Sequence, residues 1–282
     1  MSHLDNIEIF EDTVDFCTRT PELIESITQS RKNQVLTFEN DSVPDGSKVK
    51  RFQEPAKIVV SKKRTFEAAQ AYTGKGDKVC VLNFASASNP GGGVTNGASA
   101  QEECLCRIST LYFNLDTDEM WKKFYKPHRA MRSPLHNDDI IYTPDIIVFK
   151  TDDTSPSLLP QDKWYKTDVI TCAAPNLYDR TGSTHGRGFS RGNDNLLLSD
   201  TELAKLHEKR DRRIFDVSVQ NNVDVLILGA FGCGAFRNNP AVVARVMMDL
   251  AKEYAYAFKV LEFAVYCRPY DEVNYTEFKN QL

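Results

Sequence analysis

Two short apolar runs, residues 79–84 and 223–229, each deliver the chain into a glycine-rich loop that opens onto a helical pattern. An unbroken apolar run of that length is the mark of a strand buried on both faces. A loop leaving the carboxyl end of such a strand and entering a helix belongs to layered α/β sheets, where ligands gather beyond the strand ends. The first loop carries three successive glycines, Gly91, Gly92 and Gly93; the second runs Gly229-Ala230-Phe231-Gly232-Cys233-Gly234-Ala235-Phe236. Without a Cβ in the way, backbone N–H groups close directly on a ligand, and phosphate suits them. Two such loops in one chain point to an anionic ligand gripped from two sides.

The rest of the pattern agrees with an α/β fold. Strand-like runs at 57–61, 140–150, 166–173 and 261–267 alternate with helical stretches at 65–72, 98–113, 118–132, 196–221 and 240–258. Gly74 and Gly76 stop the helix over 65–72. Pro144 interrupts the run at 140–150, which predicts an edge strand or a bulge. Asn239 reads as the N-cap, and Pro240 as the first residue, of the helix after the second loop. Residues 1–55 hold a helical stretch over 14–31, with Pro21 near its start, and a turn-rich stretch over 40–47. They read as an N-terminal helical extension packed on a core of residues 56–282.

Composition narrows the function. Net charge is −4 and the pI about 5.8, so no global basic field attracts nucleic acid, and a polyanion must be gripped locally. No apolar run approaches the ~20 residues of a membrane span, and the first residues lack the basic and apolar regions of a leader. Seven scattered cysteines fit reduced, buried thiols better than a disulfide framework. That predicts a cytosolic setting, or a nuclear one in a eukaryote. Five dispersed histidines make no metal-ligand pattern, so neither a metal nor a cofactor is expected.

Gln101-Glu102-Glu103 stands at the head of the helix that follows the glycine triplet. Acidic residues there favour the helix dipole and usually face solvent; the loop just upstream shifts the reading towards a ligand. Carboxylates suit sugar hydroxyls or proton transfer, and a ligand with both diphosphate and ribose would use both halves. Neighbouring helical side chains point about 100° apart. A retaining mechanism with carboxyls on opposite sides of one anomeric carbon is poorly served by this pair. One glutamate orients ribose hydroxyls and the other handles the proton.

The run Asn89-Pro90-Gly91-Gly92-Gly93, a seven-residue spacer from Val94 to Ala100, then Gln101-Glu102-Glu103 and Ser109-Thr110-Leu111-Tyr112, joins with the loop ending Phe236-Arg237-Asn238-Asn239-Pro240. Together they resemble the bacterial-type poly(ADP-ribose) glycohydrolases, a branch of the macrodomain superfamily, over residues 57–268. The resemblance implies a macrodomain-like three-layer α/β/α sandwich with a mixed sheet and ADP-ribose in a cleft at the strand ends. By matching position, Glu103 would be the catalytic acid, with Glu102 beside it holding the ribose hydroxyls. Gly91, Gly92 and Gly93 would line the ribose–diphosphate path, with Gln101, Asn83 and Asn89 near the ribose. The backbone of Gly232, Cys233, Gly234 and Ala235 would cradle the diphosphate, and Phe236 would pack on the distal ribose.

The implied reaction is hydrolysis of ribose–ribose O-glycosidic bonds without metal or cofactor. It would release ADP-ribose from poly(ADP-ribose) or ADP-ribosylated protein and so reverse a DNA-damage modification. A monomer is expected. Two other readings stay open: removal of single ADP-ribosyl groups from protein or nucleic acid, and a non-catalytic ADP-ribose reader. Val94 stands where relatives often carry a large aromatic, which predicts a more open roof. The tyrosine-bearing clasp of the animal enzymes has no counterpart, which favours cleavage from chain ends. A polar loop over 175–195 carries Arg180, Arg187 and Arg191, a candidate contact to polymer phosphates set against the common alternative of solvated arginines.

Overall fold

The computed structural model describes residues 2–178 and 198–282. Its strands are β1 (Val35–Thr37), β2 (Lys57–Ser61), β3 (Val79–Phe84), β4 (Ile140–Val148), β5 (Tyr165–Cys172), β6 (Val225–Leu228) and β7 (Val260–Ala264). They form one sheet in the order β1-β4-β5-β3-β6-β7-β2. The pairs from β5 to β2 are parallel, whereas β1–β4 and β4–β5 are antiparallel. Side chains alternate between two hydrophobic clusters along the central strand: Val79 and Val81 enter one, Cys80 and Leu82 the other. Both faces of β3 are therefore covered, as its unbroken apolar run requires.

The helices are α1 (His3–Arg19), α2 (Pro21–Asn33), α3 (Thr65–Gln70), α4 (Gln101–Ile108), α5 (Leu111–Leu115), α6 (Asp118–Met120), α7 (Lys126–Met131), α8 (Asp200–Gln220), α9 (Pro240–Glu253) and α10 (Val273–Lys279). Ile214 and Phe215 of α8 and Met247 of α9 cover one sheet face. Phe66 of α3, Leu105 of α4 and Leu111 of α5 cover the other. The result is the three-layer α/β/α sandwich with a mixed sheet. Among the described residues no helix is long and apolar enough to cross a membrane.

Several boundaries differ from expectation for local reasons. The single helix expected over 14–31 is two, because Thr20, preceding Pro21, is extended at φ −92° and ψ 112°. The first starts at His3, where Ser2 and Asp5 form a capping box. The helix expected over 98–113 divides at Ser109, which is extended and bridges to Val148. Pro144 marks a bulge rather than an edge: the register shifts between Thr143 and Ile146, and β4 has partners on both sides. Strand β1 and helix α10 were not expected at all. Through β1 the N-terminal segment also joins the sheet, beyond packing helices on it.

Helix α1 reaches the functional end of the molecule. Asn6 Nδ2 donates to Gly97 O at 2.9 Å, and the Phe10 ring meets Tyr112 edge-on at 4.9 Å. The almost fully buried Lys150 ammonium donates to Asp12 Oδ2 and Thr13 Oγ1 at 2.7 Å, and to Ile9 O at 3.1 Å. Three acceptors on one helix compensate a charge that would otherwise be costly to bury. Thr13 in turn donates to Arg107 O of α4.

Candidate active site

The two glycine loops leave β3 and β6, adjacent parallel strands, at the same end of the sheet. The first loop folds back on itself: Ser86 Oγ accepts from the N–H groups of Ser88 and Asn89, and Asn89 O accepts from Gly92 N–H at 3.0 Å. Gly91 and Gly92 sit in the left-handed region, at φ 64° and 61°, where an L side chain is strained. Space makes the same demand. A Cβ on Gly91 would stand 2.9 Å from Tyr112 Cδ2, and one on Gly92 would collide with Glu103 Oε1. The loop is pressed directly onto α4.

Gln101, expected near the ribose, lines the cleft and also ties the start of α4 to the sheet. Its amide donates to Leu82 O at 2.8 Å and to Thr65 Oγ1 at 3.0 Å, while its carbonyl accepts from Phe84 N–H at 2.8 Å. The next two residues are both buried, Glu102 at 2 % and Glu103 at 7 % exposure, so the solvent-facing reading of this acidic pair does not apply. Glu102 Oε2 accepts from Ser86 N–H at 2.7 Å and Oε1 from Asn83 Nδ2 at 3.2 Å. Burial pushes its carboxyl up to about 8, against the opposing pull of those two donors. Glu102 is therefore mostly uncharged at neutral pH.

The expected divergence of the two glutamates is cancelled by side-chain length. A Cβ on Gly92 would lie 3.1 Å from Glu102 Oε2 as well as against Glu103 Oε1, so both carboxyls converge above that glycine. They differ in what holds them. Glu103 Oε1 accepts from Gly93 N–H at 2.9 Å, whereas its Oε2 is buried with no hydrogen-bond partner among the described residues. Asn83 does not stand beside the cleft; it is fully buried behind Glu102, donating also to Thr171 Oγ1 at 3.2 Å. Asn89 does line the cleft. Val94 forms no roof: it is fully buried in the core beneath the loop, and Gly91 rests on it.

The second loop is shaped by a residue that the sequence reading quoted but gave no role. Asn238, 2 % exposed, donates through Nδ2 to the carbonyls of Pro175, Gly232 and Phe236, and its Oδ1 faces His207 Nε2 at 2.8 Å. Since the Asn238 oxygen can only accept, His207 Nε2 donates to it; Nδ1 lies 3.2 Å from Asp211 Oδ2. Gly232 is left-handed at φ 77° and packs on Ala174 and Asn238. The N–H groups of Gly234, Ala235 and Phe236 have no acceptor among the described residues and so can serve an anion. The Cys233 side chain packs against the core, its Sγ 3.7 Å from Phe231 O. Asn239 caps α9 through Ala241 N–H at 3.1 Å, with Pro240 as first helical residue.

Between the loops lies a cleft of about 960 Å³, at the upper end of the size of small-molecule sites. Phe236 lines it, with His136 6.1 Å from its ring. Tyr266, whose ring carries the Arg64 guanidinium at 4.1 Å, and Trp121 also line it. Ser86 meets Glu102 through its main chain, and Trp121 is placed by how α5, α6 and α7 pack, so no residue-type signal marked either. His207 is buried in the middle of a helix and carried none. Arg180, Arg187 and Arg191 lie outside the described residues. Among the described residues no group of three or more His, Cys, Asp or Glu converges as a metal site.

Comparison with known proteins adds independent findings. A family model described as the catalytic domain of microbial-type PARG matches residues 13–151. The crystal structure of poly(ADP-ribose) glycohydrolase from Thermomonospora curvata aligns with a TM-score of 0.81 at 28% identity, covering 98% of this chain and 99% of that one. The same enzyme bound to the inhibitor ADP-HPD aligns at 0.81 and 29% identity with the same coverage. Poly(ADP-ribose) glycohydrolase from Deinococcus radiodurans in complex with ADP-ribose aligns at 0.77 and 31% identity, covering 94% and 98%. No curated protein matches the chain by sequence.

Proposed function

The chain belongs to the microbial-type poly(ADP-ribose) glycohydrolases, and on that premise we propose how its two glutamates divide the hydrolysis of the ribose–ribose O-glycosidic bond. One observation carries the assignment: Glu103 has one carboxyl oxygen locked by Gly93 N–H and the other without a partner, while both Glu102 oxygens are held. An oxygen with no partner in the protein leaves this carboxyl able to carry a proton, while its other oxygen is fixed over Gly92.

As the C–O bond of the distal ribose breaks, Glu103 in its acid form gives its proton to the departing ribose oxygen. The bonding electrons leave with that oxygen and an oxocarbenium-like centre develops. Glu103, now a carboxylate, takes a proton from the water that attacks this centre and returns to the acid form. Glu102, uncharged and anchored to Ser86 and Asn83, holds the ribose hydroxyls without placing a second full negative charge beside Glu103. The diphosphate lies against the N–H groups of Gly234, Ala235 and Phe236, and the Phe236 ring covers the distal ribose.

Release from chain ends follows from a sequence with no counterpart of the animal enzymes' clasp. Seven free cysteines support a reducing cytosolic or nuclear setting. The test compares wild type with Glu103→Gln on poly(ADP-ribose), reading free ADP-ribose. The variant is expected to lose on the order of 10²–10⁴-fold in kcat, the usual worth of a positioned proton donor, and to keep its affinity for ADP-ribose. Undiminished release by the variant refutes the assignment.

A further inference from the structure

The cleft continues beyond the glutamates. Past Gly92 and Asn89 it runs along Tyr112 and Asp116 to Trp121. Trp121 opens a π-helical turn, Trp121–Tyr125, inserted between α6 and α7, a geometry frequent at functional sites. Its indole is held in place: Nε1 donates to Asp116 Oδ1 at 2.7 Å, and Asp116 Oδ2 accepts from Tyr112 Oη at 3.0 Å. Tyr112 is the same ring that backs Gly91. The Arg129 guanidinium lies over the indole, 4.7 Å from its centroid, fixed by donation to Ser88 O at 2.7 Å and to Asn89 Oδ1. A ring of contacts thus ties this aromatic–guanidinium pair to the glycine loop that packs against the glutamates. Trp121 is half-buried and lines the cleft, and Arg129 is exposed beside it.

We propose that Trp121 and Arg129 form a stacking platform for the adenine of the departing unit, a purine-nucleotide subsite on the leaving-group side of the scissile bond. This rests on the polymer-hydrolase reading given above. The ribose that leaves carries its own adenine and diphosphate, so a chain bound for cleavage extends past Gly92. Tyr266, after β7, is left for the ADP-ribose being released. Purines stack on indole and guanidinium planes, and a guanidinium also meets the adjacent phosphate. A single ADP-ribose, with its distal ribose at the glutamates, does not extend to Trp121.

The chain has two tryptophans, and the other, Trp164, packs against Phe16 and Phe149. That permits a direct readout. In a Trp164→Phe, Glu103→Gln protein, an ADP-ribose dimer changes the Trp121 emission and monomeric ADP-ribose leaves it unchanged. In the otherwise native enzyme, Trp121→Ala raises KM for polymer about ten-fold, the usual loss on removing one stacking partner, with the ADP-ribose Kd unchanged. Arg129→Gln, at an exposed side chain, moves KM several-fold in the same direction, with the ADP-ribose Kd unchanged. Wild-type KM in both variants, or equal quenching by monomer and dimer, overturns the proposal. A wild type that binds ADP-ribose but releases none from polymer refutes the hydrolase reading itself, and the subsite falls with it.

Discussion

Replacing Gly92 by alanine tests the coupling between loop shape and chemistry with one methyl group. At φ 61° an L residue costs about 1–2 kcal/mol, which for a chain of this size lowers Tm by a few degrees. The larger effect is local. The new Cβ collides with Glu103 Oε1 and stands 3.1 Å from both Glu103 Cδ and Glu102 Oε2. Restoring van der Waals contact moves the Glu103 carboxyl by about 1 Å, a misplacement that costs on the order of 10²-fold in rate. Gly93→Ala is the built-in control. Gly93 has φ −103°, and its Cβ would lie 3.7 Å from Glu103 Oε1 and 3.0 Å from Ala98 Cβ. It keeps the N–H that holds Glu103. Steady-state release of ADP-ribose from polymer should therefore fall about a hundredfold in Gly92→Ala and only a few-fold in Gly93→Ala, with both proteins folded by circular dichroism. Equal losses in the two variants, or wild-type activity in Gly92→Ala, would refute the argument that steric placement of Glu103 makes the glycine necessary.

Two further outcomes follow from burial at the site. Glu102 has its folded pKa raised from 4.5 to about 8, so between those values the native state holds a proton that the unfolded chain has released. The ligand-free protein should lose stability as pH rises through that window, by up to about 1.4 kcal/mol per pH unit; urea unfolding at pH 5 and pH 8 should show that slope, and Glu102→Gln should flatten it. Gly97 is left-handed at φ 74° and lies against the His3 carbonyl, so Gly97→Ala should push α1 off the loop. Faster amide exchange in residues 3–10 together with weaker ADP-ribose binding is the expected result, and unchanged exchange there would contradict it.

Much of the fold was legible because the core strands are buried on both faces. That burial makes 79–84 and 223–229 continuous apolar runs, and continuous runs are what a sequence displays. Asn239 and Pro240 announced the start of α9 by residue type alone. Strand β1 has three residues, and α10 has one fully buried side chain, Phe278; neither is long enough to carry a period. The two-helix N-terminus turned on the backbone of Thr20, which local proline chemistry determines and an apolar pattern does not record.

The site divides along the same line. Residue types and spacing were enough to name Gly91 to Gly93, Glu102, Glu103 and the loop at Gly232 to Phe236, because phosphate cradles need bare backbone and proton transfer needs carboxyls. They could not say which polar group each side chain would meet. Of the residues read as substrate contacts, Gln101 lines the cleft while bracing α4, whereas Asn83 is buried behind Glu102. Asn238, His207 and Asp211 converge under the second loop from distant elements. Trp121 reaches the cleft because a π-helical turn and Asp116 aim it there. Sequence records which chemistry is present; hydrogen-bond partners and burial are set by strands and helices far apart in the chain, and only their packing decided that Glu103 keeps an oxygen free while Glu102 does not.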